Sequence, residues 1–454
     1  MHDIEELRDT VRGQVILPGQ HDYDTEKSGF NTLVDRAPAV IVGAAHADDV
    51  RAAVTFAAGK SLPVGVQATG HGMPASAEGG VLITTHRMDA VRIDPRRRTA
   101  WFEAGVRWGQ VIGAAAEAGL APLNGSAPQV GAVGYTLAGG IGPLARRYGY
   151  AADHVRSIDV VTADGRHRHI TATTDPDLFW ALRGGRDNFG VVTSMEVDLV
   201  PVRRLYGGGL YFDAEHAADV LHAWRNWTRT VPAEMTSSIA LYPLPLLPVV
   251  PEPIRGRNVA HIRIAYTGTD DEGNRLLAPL RAAGTVLMDT VADIPYTDVG
   301  TIHNDPATPM PRNYDTALLR DLEPTAEQAI LDAARPGPEP HVIEVRHLGG
   351  ALADPPATPN AIGHRDARYL LVMAFLLRDQ HTTDIQPVRT RLLNALAPQT
   401  LGRAPAFLGL AEHATPEQVR TAYQPADHAR LTELKTIYDP TNMFSLNHNI
   451  PPSP

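Results

Sequence analysis

An apolar run that ends in a loop of small residues constrains the fold of this chain more than any other stretch. Residues 62–66 are apolar and β-prone, and the loop Gln67-Ala68-Thr69-Gly70-His71-Gly72 follows them directly. Small residues let successive backbone N–H groups turn inward and form a nest that binds an anion such as a pyrophosphate. The histidine between two glycines could also lie against a bound ring. A tight turn with an ordinary surface histidine is the alternative interpretation.

The residues around this loop follow an α/β pattern. Residues 39–42 are strand-like, and Asp48 and Asp49 open a helix that has apolar residues on one face. With 62–66 these elements predict a β-α-β unit. Short strands and a helix over 108–118 follow, which is not the long regular alternation of a doubly wound fold.

The segment 125–155 is rich in glycine. Within it, residues 140–145 fit a loose dinucleotide-binding pattern, Gly-Ile-Gly-Pro-Leu-Ala. That fingerprint is expected after the first strand of a β-α-β unit and before a helix. Here it lies far into the chain, and Pro143 follows its last glycine. A nicotinamide-dependent dehydrogenase is therefore disfavoured.

Beyond Pro201 the pattern changes to strands mixed with amphipathic helices. The sequence predicts an α+β region whose antiparallel sheet has helices on one face. In the strand 342–348 the period of two places Glu344 and Arg346 on the same face. A charged pair on a central strand is costly unless it is paired, solvated or lines a cavity. A surface ion pair is the alternative interpretation.

Composition excludes several classes of function. The chain has no cysteine, which rules out disulfides, thiolate catalysis and a cysteinyl bond to a cofactor, and its net charge of −10 argues against a nucleic-acid partner. No apolar run is long enough to span a membrane, and the acidic start differs from a signal peptide, so we expect a cytoplasmic protein. His167 and His169 share one face of a hairpin strand, but no third ligand accompanies them, and no metal site is predicted.

Three regions together resemble FAD-linked oxidases of the berberine-bridge-enzyme type, within the vanillyl-alcohol-oxidase (PCMH-type) fold. They are the loop around His71, the segment from Val130 to Asp153, and the C-terminal run Tyr438-Asp439-Pro440 through Ile450. The resemblance implies an α+β protein with a two-subdomain FAD-binding domain over 1–200. A substrate-binding cap is expected over 201–404, and a C-terminal segment, 405–454, is expected to return to the FAD domain.

The resemblance also implies which residues bind FAD. His71 is similar to the histidine that is joined to the flavin 8α-methyl group, and a neutral imidazole nitrogen is a suitable nucleophile for that bond. The residues expected to contact the cofactor are Gln67, Ala68, Thr69, Gly70, His71, Gly72, Gln129, Val130, Gly131, Gly134, Tyr135, Leu137, Gly139, Gly140, Gly142, Asp153, Gly190, Val192, Asn447 and Asn449.

Three positions depart from the pattern of the family. Ala127 stands where many members have a cysteine, so attachment is expected through His71 only. Gln67 replaces the usual arginine and removes a positive charge beside the phosphates. Gly72 replaces the usual serine or asparagine.

The function implied by the resemblance is that of an FAD-dependent oxidase of bacterial secondary metabolism. Hydride would pass from an alcohol, sugar or amine group of a small-molecule substrate to the flavin, and O2 would then be reduced to H2O2. Glu344 is the candidate general base, and Tyr135 and Tyr242 are the next candidates. A dehydrogenase with another electron acceptor and a non-catalytic flavin- or metabolite-binding protein remain alternatives. We expect a monomer or homodimer.

Overall fold

Three β-sheets organise the molecule. The structure is a computed structural model that describes residues 2–72, 75–337, 341–376, 386–409 and 414–453. Within these ranges each sheet is built from one consecutive stretch of the chain, and the fold is mixed α+β, as predicted. None of the described helices combines the length and the apolar character needed to cross a bilayer.

The first sheet contains the predicted β-α-β unit. Its elements, in chain order, are α1 His2–Thr10, β1 Gln14–Ile16, α2 Tyr23–Lys27, β2 Val40–Gly43, α3 Ala47–Lys60, β3 Val64–Gln67 and β4 Val81–Thr84. The strand order is β1-β2-β4-β3, and β2, β4 and β3 run parallel. Both β2 and β4 are buried throughout, as expected for parallel strands that are covered on both faces.

The second sheet is antiparallel, with the order β5-β6-β9-β7-β8. Its elements are β5 Val91–Asp94, β6 Thr99–Glu103, α4 Trp108–Ala116, α5 Ala132–Leu137, α6 Ala145–Tyr148, β7 Val155–Val161, β8 His167–Thr171, α7 Pro176–Gly185 and β9 Val191–Asp198. The predicted hairpin is confirmed, because β7 pairs with β8 around the turn at Gly165. Residues 140–144 lie between α5 and α6, and Ala145 begins α6, so the dinucleotide fingerprint follows a helix and lacks the strand that should precede it.

The third sheet has nine strands among the described residues, and its pairings are antiparallel. Its elements are β10 Arg204–Asp213, α8 Ala217–Thr228, β11 Met235–Pro243, β12 Asn258–Tyr266, α9 Asp270–Arg281, β13 Val286–Asp289, β14 Ala292–Pro295, β15 Arg312–Leu319, α10 Pro324–Ala333, β16 His341–His347, β17 Tyr369–Leu376, α11 Gln386–Leu396 and β18 Thr400–Gly402. The strand order is β13-β10-β12-β11-β16-β17-β15-β18, and β14 also pairs with β10.

The two faces of the third sheet differ in chemistry. Ile262, Ile343 and Val345 point into an apolar core that also contains Trp224 of α8. The alternate positions on the same strands line a cavity on the opposite face. Period-two alternation therefore separates a hydrophobic face from a polar one.

The end of the chain returns to the first two sheets. Two helices, α12 Pro416–Arg420 and α13 Pro425–Tyr438, precede an irregular tail. The Val64 N–H donates to the Met443 carbonyl at 2.8 Å, and the Ile450 N–H donates to Asn188 Oδ1 at 2.9 Å. The Lys435 ammonium is fully buried and donates to Asp439 at 2.6 Å and to the Asn188 carbonyl at 2.7 Å.

Candidate active site

A cavity of about 1070 Å³ lies between the loop after β3 and the polar face of the third sheet. The loop 67–72, the glycine-rich segment around α5 and the strand β9 form one side of the cavity. Strands β11, β12, β15 and β16 form the other side. The volume is at the upper end of the range for pockets that bind drug-sized ligands and cofactors.

The loop 67–72 is held by close contact with residues 29–31. The N–H groups of Phe30 and Asn31 donate to the carbonyls of Thr69 and Gly70 at 3.0 and 2.9 Å. Gly70 has φ +68°, and a Cβ there would lie 2.4 Å from the Cα of Gly29. Only glycine therefore fits at position 70 without moving the backbone. The loop is a built feature of the cavity wall and not an exposed turn.

His71 is held in a defined orientation. Its ring stacks on Phe30 with centroids 4.0 Å apart, and its Nδ1 lies 2.8 Å from Thr69 Oγ1. Its Nε2 is buried without a hydrogen-bond partner. Burial, with help from Arg312 and Arg107, lowers the pKa of His71 to about 3, so the ring is neutral at physiological pH. A neutral imidazole with one free nitrogen is competent as a nucleophile.

Most of the residues predicted to bind the cofactor line this cavity. They are Gln67, Ala68, Thr69, Gly70, His71, Gly72, Gln129, Val130, Gly131, Gly134, Tyr135, Leu137, Gly140, Gly190, Val192 and Asn447. Three segments that are distant in the chain, and that were each predicted to bind the cofactor, therefore meet at this cavity.

Four residues of that set lie outside the cavity lining: Gly139, Gly142, Asp153 and Asn449. A Cβ at Gly142 would lie 1.8 Å from the Asn124 carbonyl oxygen, so close backbone packing explains glycine there. Asp153 accepts hydrogen bonds from Arg365 and Asn360, both at 2.7 Å, and so joins the second sheet to the loop before β17.

Glu344 is the centre of a charged cluster on the polar face of the third sheet. Arg263 donates to its Oε1 at 2.8 Å, and the Nε and Nη2 of Arg346 donate to its Oε2 at 3.0 and 2.9 Å. Its side chain is only 7% exposed, so the surface ion pair considered from sequence is wrong, although Glu344 and Arg346 do share a face as predicted. Burial alone would raise the pKa of Glu344, but Arg346 and Arg263 outweigh it and hold the pKa well below its ordinary value.

The two candidate tyrosines have different surroundings. Tyr135 is partly buried, its buried hydroxyl has no hydrogen-bond partner among the described residues, and burial raises its pKa. The hydroxyl of Tyr242 lies 3.0 Å from Nδ1 of His261, whose ring stacks on Tyr211 at 3.8 Å. Burial, together with Arg263, holds the pKa of His261 far below its usual value, so a neutral ring can accept the Tyr242 proton.

Sequence reasoning missed several residues of the site. Arg263 and His261 alternate with isoleucines on β12, and this pattern could have placed them on the same face as Glu344. His303 lies 3.9 Å from the Glu344 carboxylate, but it sits in an irregular segment that has no periodic signal. Arg312 packs over the Phe30 ring at 4.3 Å, a long-range contact that local patterning does not show.

Comparisons with known proteins agree with this geometry. Residues 38–171 match a family described as an FAD binding domain, and residues 406–451 match one described as berberine and berberine like. The chain is 28% identical to (R)-6-hydroxynicotine oxidase of Paenarthrobacter nicotinovorans over 98% of this chain and 97% of that protein. It is 33% identical to xylooligosaccharide oxidase of Thermothelomyces thermophilus over 42% of this chain and 39% of that one. The crystal structure of 6-hydroxy-D-nicotine oxidase from Arthrobacter nicotinovorans has a TM-score of 0.83 at 26% identity and covers 98% of both chains.

The fold and the site together define an FAD-dependent oxidoreductase. Within that class, its two matched domains and its fold are similar to those of the berberine-bridge-enzyme-like flavoproteins of the PCMH-type fold.

The cavity itself fits FAD. Among the described residues, buried polar atoms without a partner belong to nine residues of its lining: Arg36, Gln67, His71, Thr85, Tyr135, Arg263, His303, Arg312 and Asn447. Buried polar groups are normally hydrogen-bonded, and one large polar ligand would satisfy several of these at once. The loop 67–72 would hold the pyrophosphate, and the segment around α5 would lie along the flavin.

Proposed function

We propose that this protein is an oxidase whose FAD is bonded covalently to His71 and whose substrate is an alcohol or amine on an apolar framework. The observation that carries the proposal is the neutral, buried His71, with its free Nε2 in the same cavity as the polar face of the third sheet. Bound FAD supplies the two-electron acceptor, and O2 is the proposed final oxidant. The absence of cysteine leaves a histidyl bond as the available attachment.

The third sheet supplies the groups that hold and deprotonate the substrate. Glu344 lines the cavity, and its low pKa keeps it ionised, so it can accept the proton of a substrate hydroxyl or ammonium. Two arginines weaken it as a base, because they stabilise the carboxylate that must take up the proton. They also fix its position, and a base must be well placed to act.

Tyr242 is the alternative route for the proton. Its hydroxyl lines the cavity and can accept a substrate proton while it donates its own to the neutral His261. Charge would then develop on a buried imidazole beside Arg263, which is unfavourable. Glu344 therefore remains the preferred base.

The rim of the cavity favours an apolar framework over a free sugar. The lining includes Leu244, Leu247 and Val249 from the proline-rich loop after β11. Leu247 and Val249 are 53% and 85% exposed, although they are large aliphatic residues. Contiguous exposed apolar residues at a pocket mouth are typical of a surface that contacts a ligand. Aliphatic side chains offer no hydrogen bonds to sugar hydroxyls.

A panel of reductants tests the proposal. Alcohols, amines and sugars would be mixed anaerobically with the holoenzyme, and bleaching of the flavin absorbance would be followed. We expect apolar alcohols or amines to bleach it faster than free sugars of similar size, and we expect air to restore the colour with one H2O2 per substrate. Recolouring only with an artificial acceptor would show a dehydrogenase instead, and absence of bleaching by every donor would contradict catalysis.

A further inference from the structure

Arg36 is a buried cation that has no counter-ion among the described residues. It lies in the segment between α2 and β2, its residue is 8% exposed, and it lines the cavity. Its Nη1 has no hydrogen-bond partner, and no ion pair joins it to any described carboxylate. Burial lowers the pKa of Arg36 to about 10, and no neighbouring acid offsets this effect. A guanidinium in such a place is costly unless an anion pairs with it.

The other arginines that line the cavity already have partners. Arg263 and Arg346 share Glu344. Arg186 donates to the Pro405 carbonyl at 3.2 Å and to His448, and Arg312 donates to the Tyr314 hydroxyl at 2.7 Å. Arg36 differs from these four because no described residue accepts a hydrogen bond from its side chain.

The backbone on both sides of Arg36 is tied to the loop 67–72 and its continuation. Phe30 and Asn31 bond to Thr69 and Gly70, and the Ala37 N–H donates to the Ser76 carbonyl at 2.9 Å. These contacts keep the Arg36 segment against the same wall of the cavity as the loop. A single anion in the cavity could therefore contact both Arg36 and the loop 67–72.

Gln67 cannot supply positive charge to that anion. Its side chain is neutral, and its Nε2 donates to the Ser28 carbonyl at 3.0 Å. An arginine would be expected at this position from the family pattern, so the loop lacks a cation of its own.

We propose that Arg36 binds the FAD pyrophosphate and supplies, from a different segment of the chain, the charge that Gln67 does not. The fork of a guanidinium matches phosphate oxygens, and the loop N–H groups complete the site. This assignment rests on the binding of FAD, not on the identity of the substrate or of the final oxidant.

FAD affinity tests the assignment without any activity measurement. In full-length His71→Ala protein the flavin has no covalent bond, so dissociation constants for FAD and for riboflavin can be measured by fluorescence. Adding Arg36→Met should weaken FAD binding roughly ten- to a hundredfold, the scale of one charge-assisted hydrogen bond. Riboflavin has no pyrophosphate, and its affinity should change by less than about twofold within the same comparison.

A rescue variant and a stability measurement distinguish ligand binding from a structural role. Gln67→Arg, added to Arg36→Met, should recover most of the FAD affinity, because the charge returns to the same anion. Without flavin, Arg36→Met should melt at the same temperature or higher than its parent, because an unpaired buried charge is removed. Arg36→Gln serves if the methionine variant does not fold.

Arg51→Met is the matched control. Arg51 is exposed on α3 and pairs with Asp48 at 3.4 Å, so this change should leave both affinities unaltered. Equal FAD affinity with and without Arg36 would overturn the assignment, and so would equal losses for FAD and riboflavin. If no donor bleaches the flavin, the proposed oxidase function fails while these affinity results still stand.

Discussion

At the scale of the residue, the two ring nitrogens of His71 have different surroundings. Thr69 engages Nδ1, Phe30 fixes the ring plane, and Nε2 is left free in the cavity. His71→Ala should leave FAD extractable by acid, and should slow turnover without abolishing it. Absorbance of the acid-precipitated protein measures the covalent fraction. Flavin that stays attached to the precipitated variant would contradict the assignment.

The position of Glu344 in the cavity predicts that it is needed for flavin reduction but not for reoxidation. Glu344→Gln should slow anaerobic flavin reduction by roughly a hundredfold or more, the scale for loss of a general base. Reoxidation of the pre-reduced enzyme by O2 should be nearly unchanged, because that half-reaction does not need the substrate proton. Stopped-flow absorbance follows both steps separately.

Two variants separate the chemistry of Glu344 from its structural role. Because the change to glutamine leaves Arg263 and Arg346 without a carboxylate, a fall in melting temperature alone would not show catalysis. Glu344→Asp keeps the charge with a shorter reach, and Tyr242→Phe removes only the hydroxyl that faces His261. Normal reduction in Glu344→Gln with slow reduction in Tyr242→Phe would transfer the role to Tyr242.

At the scale of the element, the strands show what sequence alone can and cannot predict. Strand β16 was predictable because charged and apolar residues alternate along it, so the period alone places Glu344 and Arg346 on one face. Strand β10 was not, because Gly207, Gly208 and Gly209 interrupt its apolar pattern. Gly209 leaves room there for the His261 ring, since a Cβ would lie 2.2 Å from its Nε2.

Some residues of the candidate site could also be predicted from the sequence, and others could not. The loop 67–72 could be predicted from its local sequence, because it has glycines on both sides of a histidine. Arg36 could not be predicted in this way, because it follows Asp35 in an irregular segment and only the folded chain shows that it is buried. Ion pairs between strands that are distant in sequence, such as Arg263 with Glu344, depend on strand order, which periodicity does not predict.

At the scale of the whole molecule, we propose that residues 1–200 and 405–454 form one discontinuous FAD domain and that 201–404 form the cap. The buried Lys435–Asp439 pair and its bond to the Asn188 carbonyl support this proposal, since they join the tail to the second sheet. His448 is part of the same junction. Arg186 donates to its Nδ1 at 2.6 Å, and its Nε2–H donates to the Gly409 carbonyl at 2.9 Å.

The junction makes the stability of the molecule depend on pH. Burial, with a contribution from Arg186, lowers the pKa of His448 from 6.5 to about 3. Between these values the unfolded chain holds a proton on this ring that the folded chain does not. The contribution of His448 to the free energy of unfolding is therefore fully present above pH 6.5, and it is lost progressively as the pH falls from 6.5 towards 3.

A comparison of urea unfolding at pH 7 and pH 5 measures this effect. His448 alone should lower the free energy of unfolding by about 2 kcal/mol between the two values, at about 1.4 kcal/mol per pH unit below its ordinary pKa. His448→Gln should be less stable at pH 7, because the amide replaces the two ring contacts imperfectly, but its stability should fall less towards pH 5. His169→Gln, which removes an exposed imidazole on β8, is the control and should keep the wild-type difference. If His448→Gln loses as much stability between pH 7 and pH 5 as the wild type does, then the ring is not held neutral at the junction.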